Sequence, residues 1–135
     1  MDSRQNHREE MHENEITHKI IGAALEIHKK IGPGLLESAY ESALACDLIE
    51  LGLNVKQQVP MPFIYNGIKQ DVGYRLDLLV EDKVIIEIKS IEKLAPVHYA
   101  QTLTYLKLSD LKVALLINFN CKLLKENIHR LVNNL

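Results

Sequence analysis

The most constraining stretch of this chain spans residues 77–89 and reads Asp77-Leu-Leu-Val-Glu-Asp-Lys-Val-Ile-Ile-Glu87-Ile-Lys89. Two apolar runs flank a short polar turn, which is the pattern of a strand–turn–strand hairpin. Each run carries a carboxylate that an apolar strand has no use for. Side chains alternate faces along a strand, so Glu87 and Lys89 share one face. A charge on a buried strand is costly unless it is compensated. Two compensations are open: a divalent cation held by the carboxylates, or ion pairs of Glu87 and Lys89 with each other or with Arg75. The length of the turn matters here. A two-residue turn pairs Asp77 with Ile86 and turns Glu87 away from it. A three-residue turn over Glu81, Asp82 and Lys83 pairs Asp77 with Glu87. The three-residue turn, or a compensating bulge, is the expectation.

The rest of the chain supplies elements to pack around that hairpin. Residues 1–13 are polar, with His7 and His12 among glutamates, and read as a flexible tail. Ile21, Ala24, Leu25, His28 and Ile31 recur at helical spacing and predict a helix over 15–31, capped by Asn14 or Thr17. Gly32-Pro33-Gly34 ends it. His28 is expected as a hydrogen-bonded histidine at the core edge. Leu36, Tyr40, Ala43, Leu44, Leu48 and Leu51 predict a second helix over 35–51. Glu37 falls in its first turn, where a carboxylate also suits the helix dipole. Strands are expected over 54–65, 68–80 and 84–89, the first two joined by the Asn66-Gly67 turn. Pro60 and Pro62 push the first strand towards a sheet edge, and Gly73 suggests a bulge. A third helix over 96–108 places His98, Gln101 and Tyr105 on one face. A strand follows over 112–118. Residues 120–127 read as a loop, and 128–132 as a short strand or a helical turn. The order predicts an α/β layout with a mixed sheet, in one domain over 14–135 behind the tail.

Composition narrows the function classes. A net charge of −2 excludes a global basic field for nucleic acid. Low net basicity and few aromatic residues, 5%, argue for a weak or partner-assisted grip on nucleic acid. Cys46 and Cys121 lack metal-type spacing and read as free thiols of a reducing, cytoplasmic setting. No apolar run is long enough to span a membrane, and the polar start does not resemble a signal peptide. A small domain with a symmetric target is compatible with a homodimer.

The residues define a candidate chemistry. Mg²⁺ or Mn²⁺ needs two or three hard oxygen ligands and keeps several waters. Asp77 and Glu87 supply carboxylates on adjacent strands, and Glu37 adds one from a helix. Lys89 would position a water or steady developing negative charge. Gln101 and Tyr105 would orient water or phosphate. That set suits metal-assisted phosphodiester hydrolysis. A non-catalytic nucleic-acid-binding or protein-interaction module on the same fold is the alternative.

Several segments carry a family resemblance. Gly34-Leu-Leu-Glu37-Ser-Ala-Tyr40 resembles the motif naming the GxxExxY proteins, which are placed in the PD-(D/E)XK nuclease superfamily. Ile31-Gly-Pro-Gly, Tyr74-Arg-Leu-Asp77, Ile86-Glu87-Ile-Lys89, Gln101-Thr-Leu-Thr-Tyr105 and Leu116-Ile-Asn118-Phe extend the similarity from Ile16 onward. The resemblance implies a restriction-endonuclease-like α-β-β-β-α-β core, with a mixed sheet flanked by helices and one extra N-terminal helix. It implies a Mg²⁺ or Mn²⁺ cofactor, Asp77 and Glu87 as metal ligands, Lys89 as catalytic lysine and Glu37 as the helix carboxylate. Gln101 and Tyr105 resemble the Gln-x-x-x-Tyr helix of exonuclease-like branches. The implied partner is nucleic acid, DNA ahead of RNA. Arg75-Leu76 stand where the superfamily name has proline.

Overall fold

The computed structural model describes residues 10–135. Residues 1–9 of the expected tail lie outside that range. Met11 already packs against the core, and its carbonyl accepts from Lys83 Nζ at 2.7 Å. Helix α1 spans Glu13–Ile31, with His12 as its N-cap: the His12 ring accepts from the Asn14 N–H. The expected cap at Asn14 or Thr17 is displaced because both residues are already helical. The expected apolar track is also rotated. The buried residues are Ile16, Thr17, Ile20, Ala24 and Ile27, whereas Leu25 and Ile31 are exposed. Two apolar tracks run along this helix, and the one aligned with the neighbouring elements is buried.

Gly32 and Gly34 both adopt positive φ, 77° and 107°, which glycine reaches without a Cβ penalty. They reverse the chain into helix α2, Glu37–Glu50, which starts two residues later than its apolar pattern suggested. Leu36 is therefore the N-cap and 77% exposed, not part of the buried stripe, and Leu51 is exposed beyond the helix end. Strand β1 covers Val55–Tyr65, β2 Ile68–Val80 and β3 Val84–Lys89. Helix α3 is Pro96–Ser109, and β4 is Val113–Asn118. The expected loop ends in a 3₁₀ turn, Leu124–Asn127, and the last segment is strand β5, Ile128–Val132.

The five strands run β1-β2-β3-β4-β5 across one mixed sheet. β3 and β4 are parallel, with α3 as their crossover, and the other pairs are antiparallel. Prolines 60 and 62 thus sit on an edge strand, where missing N–H donors are tolerated. In the β1–β2 ladder, Pro62 faces residues 71–73, so Gly73 lies within an expanded bulge. β3 and β4 are buried almost throughout, as their unbroken apolar runs require.

Each face of the sheet has its own core. Ile16, Ile20, Leu44, Leu48, Leu78, Ile86, Ile88 and Phe119 pack with α1 and α2 on one side. Met61, Leu76, Ile85, Tyr105, Leu106 and Ala114 pack with α3 on the other. Each fully buried aliphatic chain contributes about 1.5–3 kcal/mol. Leu76 and Leu78 would share a face in a regular strand, yet they belong to opposite cores. Val55 and Val59 on β1 divide the same way. The two strands therefore exchange faces together at Gln58 and Asp77. Gln58 absorbs the change with φ of 50°, in the left-handed region that non-glycine residues seldom adopt. Among the described residues, no helix is long and apolar enough to cross a membrane.

Candidate active site

The β2–β3 turn has three residues. Val80 pairs with Val84, Leu79 with Ile85 and Leu78 with Ile86. Glu81 and Asp82 both take φ of 53°, and the Lys83 N–H donates to the Val80 carbonyl at 3.0 Å. The same register carried one step further sets Asp77 opposite Glu87. There the side chains take over from the backbone ladder. The Asp77 N–H donates to Glu87 Oε2 at 2.9 Å, and the Ile88 N–H donates to Asp77 Oδ2 at 2.8 Å. Each carboxylate is thus held by a peptide donor of the opposite strand.

This pair is buried and short of positive partners. Glu87 is 5% exposed and Asp77 is half-buried. Burial, and secondly the charge of Asp77, push the Glu87 carboxyl up from 4.5 to about 8. Burial also raises Asp77, with Glu41 adding to it, against the bond from Ile88 and the charge of Lys89. Lys89 is half-buried, and its charge favours the ionised form of both carboxylates. Among the described residues, no ion pair includes Asp77, Glu87 or Lys89; the pairs present are Lys56–Asp82 and Lys83–Glu10. The ion-pair resolution of the buried charge, open from the sequence, is not the one adopted.

Helix α2 faces the pair through its first turns. A cleft of about 650 Å³ lies between them, lined by Leu36, Glu37, Glu41, Gln58, Asp77 and Ser90. Glu37 Oε1 accepts weakly from the Ser90 N–H at 3.4 Å. Glu41 is the helix carboxylate whose charge reaches both Asp77 and Glu87. It accepts from Gln58 Nε2 at 2.7 Å and from Gln57 Nε2 at 3.1 Å, and Gln58 Nε2 also reaches Asp77 Oδ1 at 3.4 Å. Sequence reasoning missed Glu41 and Gln58. The helical spacing of four from Glu37 could have flagged Glu41. Nothing local marks Gln58, whose place depends on the face exchange.

Buried tyrosines frame the site. Tyr105 is 5% exposed, and its hydroxyl accepts from Gln101 Nε2 at 3.0 Å. Burial, then the Glu87 charge, raise its pKa, so Gln101 and Tyr105 approach from the α3 side. On the α2 side, Tyr40 is fully buried and stacked on Phe119 with centroids 4.4 Å apart. Its hydroxyl donates to the Gly32 carbonyl at 2.6 Å and accepts from the Leu35 N–H at 3.2 Å. The Leu35 carbonyl accepts from Ser90 Oγ at 2.7 Å. Tyr40 thereby ties the glycine turn to the residue that follows Lys89. His98 caps α3 instead, accepting from the Ala95 N–H at 2.8 Å. His28 bonds the Cys121 carbonyl at 2.9 Å, as a core-edge histidine. Cys46 and Cys121 are both free thiols.

The donor set fits a hard divalent cation. Two buried carboxylates that resist ionising together gain most from a positive charge between them. Among the described residues, no group of three or more His, Cys, Asp or Glu side chains could enclose a metal. Two carboxylates and water suit Mg²⁺ or Mn²⁺ better than the closed N/S sites of zinc. A family model, the PD-(D/E)XK nuclease superfamily, matches residues 14–131. No curated protein and no solved structure matches the chain.

Proposed function

The chain belongs to the PD-(D/E)XK nuclease superfamily, and from that premise we propose a Mg²⁺- or Mn²⁺-dependent nuclease that hydrolyses a phosphodiester of DNA, ahead of RNA. Within the superfamily, the Gly34 to Tyr40 motif supports membership of the GxxExxY proteins. The observation that carries the activity is the Asp77–Glu87 pair, buried, bonded across the strands, raised in pKa and free of ion pairs.

Asp77 and Glu87 would hold the metal, with Glu37 at the cleft rim as a further carboxylate. A bound divalent ion supplies Lewis acidity and lowers the pKa of a water. Lys89 steadies the developing negative charge on the phosphoryl oxygens or positions the attacking water. The Gln101–Tyr105 pair orients water or phosphate from α3. Peptide donors hold both ligand carboxylates, so their positions are set before substrate arrives. Glu37, Glu41 and Asp77 line the cleft, so phosphate reaches the cleft itself only once a metal offsets their charge.

The test is cleavage of single-stranded, double-stranded and branched substrates by wild type and Lys89→Ala, with Mg²⁺ or Mn²⁺. Metal-dependent cleavage by wild type and its loss in the variant are expected. Binding without cleavage under every condition, or equal cleavage by the variant, would overturn the reading.

A further inference from the structure

Aromatic residues are few, but they are not scattered. Of seven, four form one row. Tyr65 and Phe63 have centroids 6.4 Å apart, Phe63 and Tyr74 6.2 Å, and Tyr74 and Tyr105 5.9 Å. The row starts at the tip of the β1–β2 hairpin and ends at Tyr105 on α3, which shares a core cluster with Leu76, the residue before Asp77. β3 pairs with β2 only from Leu78 to Val80, so residues 59–76 extend beyond the paired sheet as a two-stranded arm. The tip is open: Tyr65 is 60% exposed, Ile64 59% and Ile68 66%. The arm carries Lys69 and Arg75 against a single acid, Asp71, whereas the cleft rim carries Glu37 and Glu41.

We propose that this arm is a stacking platform for single-stranded nucleic acid, which it leads to the Asp77–Glu87 pair. The proposal rests on the nuclease reading for its endpoint, but its own content is a binding surface. Tyr65 is the exposed ring of the row, with Phe63 and Tyr74 half-buried behind it, and an exposed ring accepts the face of an unstacked base without regard to sequence. A duplex hides those faces, so the arm favours an unpaired strand or overhang. Lys69 and Arg75 pair with Ile64 and Pro60 on the other face of the arm, so they make the arm as a whole positive towards a polyanion that the acidic rim repels. Continuity with the carboxylates favours a substrate strand over a second copy of the chain as occupant.

The experiment is fluorescence anisotropy of the full chain in EDTA at low salt. The probes are a labelled oligo(dT) of about twelve nucleotides and a duplex of the same length. The variants are Tyr65→Ala and Tyr65→Phe, with circular dichroism to check the fold. Tighter binding of the single strand is expected, weakened about tenfold by Tyr65→Ala and within about twofold of wild type for Tyr65→Phe. Absence of single-strand binding, or equal affinity for Tyr65→Ala, overturns the proposal. A dimer seen by light scattering that Tyr65→Ala disperses, with oligonucleotide affinity unchanged, assigns the arm to a second copy and overturns it too. Tyr65-dependent binding without metal-dependent cleavage would keep the arm and remove the nuclease reading. Cleavage that is indifferent to Tyr65 would do the reverse.

Discussion

Replacing Glu87 with glutamine tests the electrostatics of the site without altering its shape. The glutamine carbonyl can still accept the Asp77 N–H that Glu87 Oε2 accepts at 2.9 Å. What disappears is an ionisation that burial disfavours. The Glu87 carboxyl moves from 4.5 to about 8 on folding. The folded state therefore holds the proton more tightly than the unfolded chain. The resulting stabilisation is complete below 4.5 and lost as pH rises through about 8. One pH unit within that window corresponds to about 1.4 kcal/mol, so the full span approaches ~5 kcal/mol. Urea unfolding in EDTA should show wild type losing about 3 kcal/mol relative to Glu87→Gln between about pH 5.5 and 7.5. Titrating groups that do not interact with Glu87 are common to both proteins and cancel in the difference. Mg²⁺ added at the higher pH should restore wild type and leave the variant nearly unchanged, because a ligand stabilises only the state that binds it. A stability difference that stays constant across the pH range would refute the buried, raised carboxylate. An equal response to Mg²⁺ would remove Glu87 from the metal set.

Three further outcomes are expected. Tyr40→Phe keeps the stack on Phe119 but strands the Gly32 carbonyl and the Leu35 N–H, for a loss of about 1–3 kcal/mol in urea unfolding. Asn118→Ala should cost at least as much, about 2–4 kcal/mol by thermal or urea melts, because one buried side chain serves the Ile91 N–H and carbonyl and the Asn120 N–H. Lys56→Ala should change unfolding by under about 1 kcal/mol, since its pair with Asp82 lies on the surface and is screened.

The pattern of the chain was legible where local physics decides it. Asn66-Gly67 turned the hairpin, the prolines marked the edge, and the unbroken apolar runs marked the two central strands. The need to bring Asp77 and Glu87 together predicted a turn of three residues, and the register has that length. Where several packings satisfy the same local pattern, the sequence was silent or misleading. Helix α1 offers two apolar tracks, and only its neighbours decide which is buried. Leu36 has the composition of a core residue, but the glycine turn delivers it to the helix start and to solvent. Gln58 occupies a left-handed position because two strands exchange faces there, a tertiary event with no signature in the composition. Glu41 acquires its importance from the same juncture.

The turn over residues 81–83 behaves as a parity element. Its odd length is what sets both carboxylates in one rung, and both core faces meet at that rung. If the turn kept three residues after the loss of one, Val84 would be drawn into it, and Asp77 would face Ile88 in place of Glu87. The damage would differ from that of an ordinary loop deletion. Such loops tolerate length changes because only closure entropy is altered. Here a one-residue change shifts the frame in which two strands are read together, as an insertion shifts a message. Removing two residues would leave one, too few to close a hairpin. Length variation at this turn should therefore be tolerated only where Val80 still pairs with Val84. Among the connections of this fold it is the one where counting matters more than chemistry.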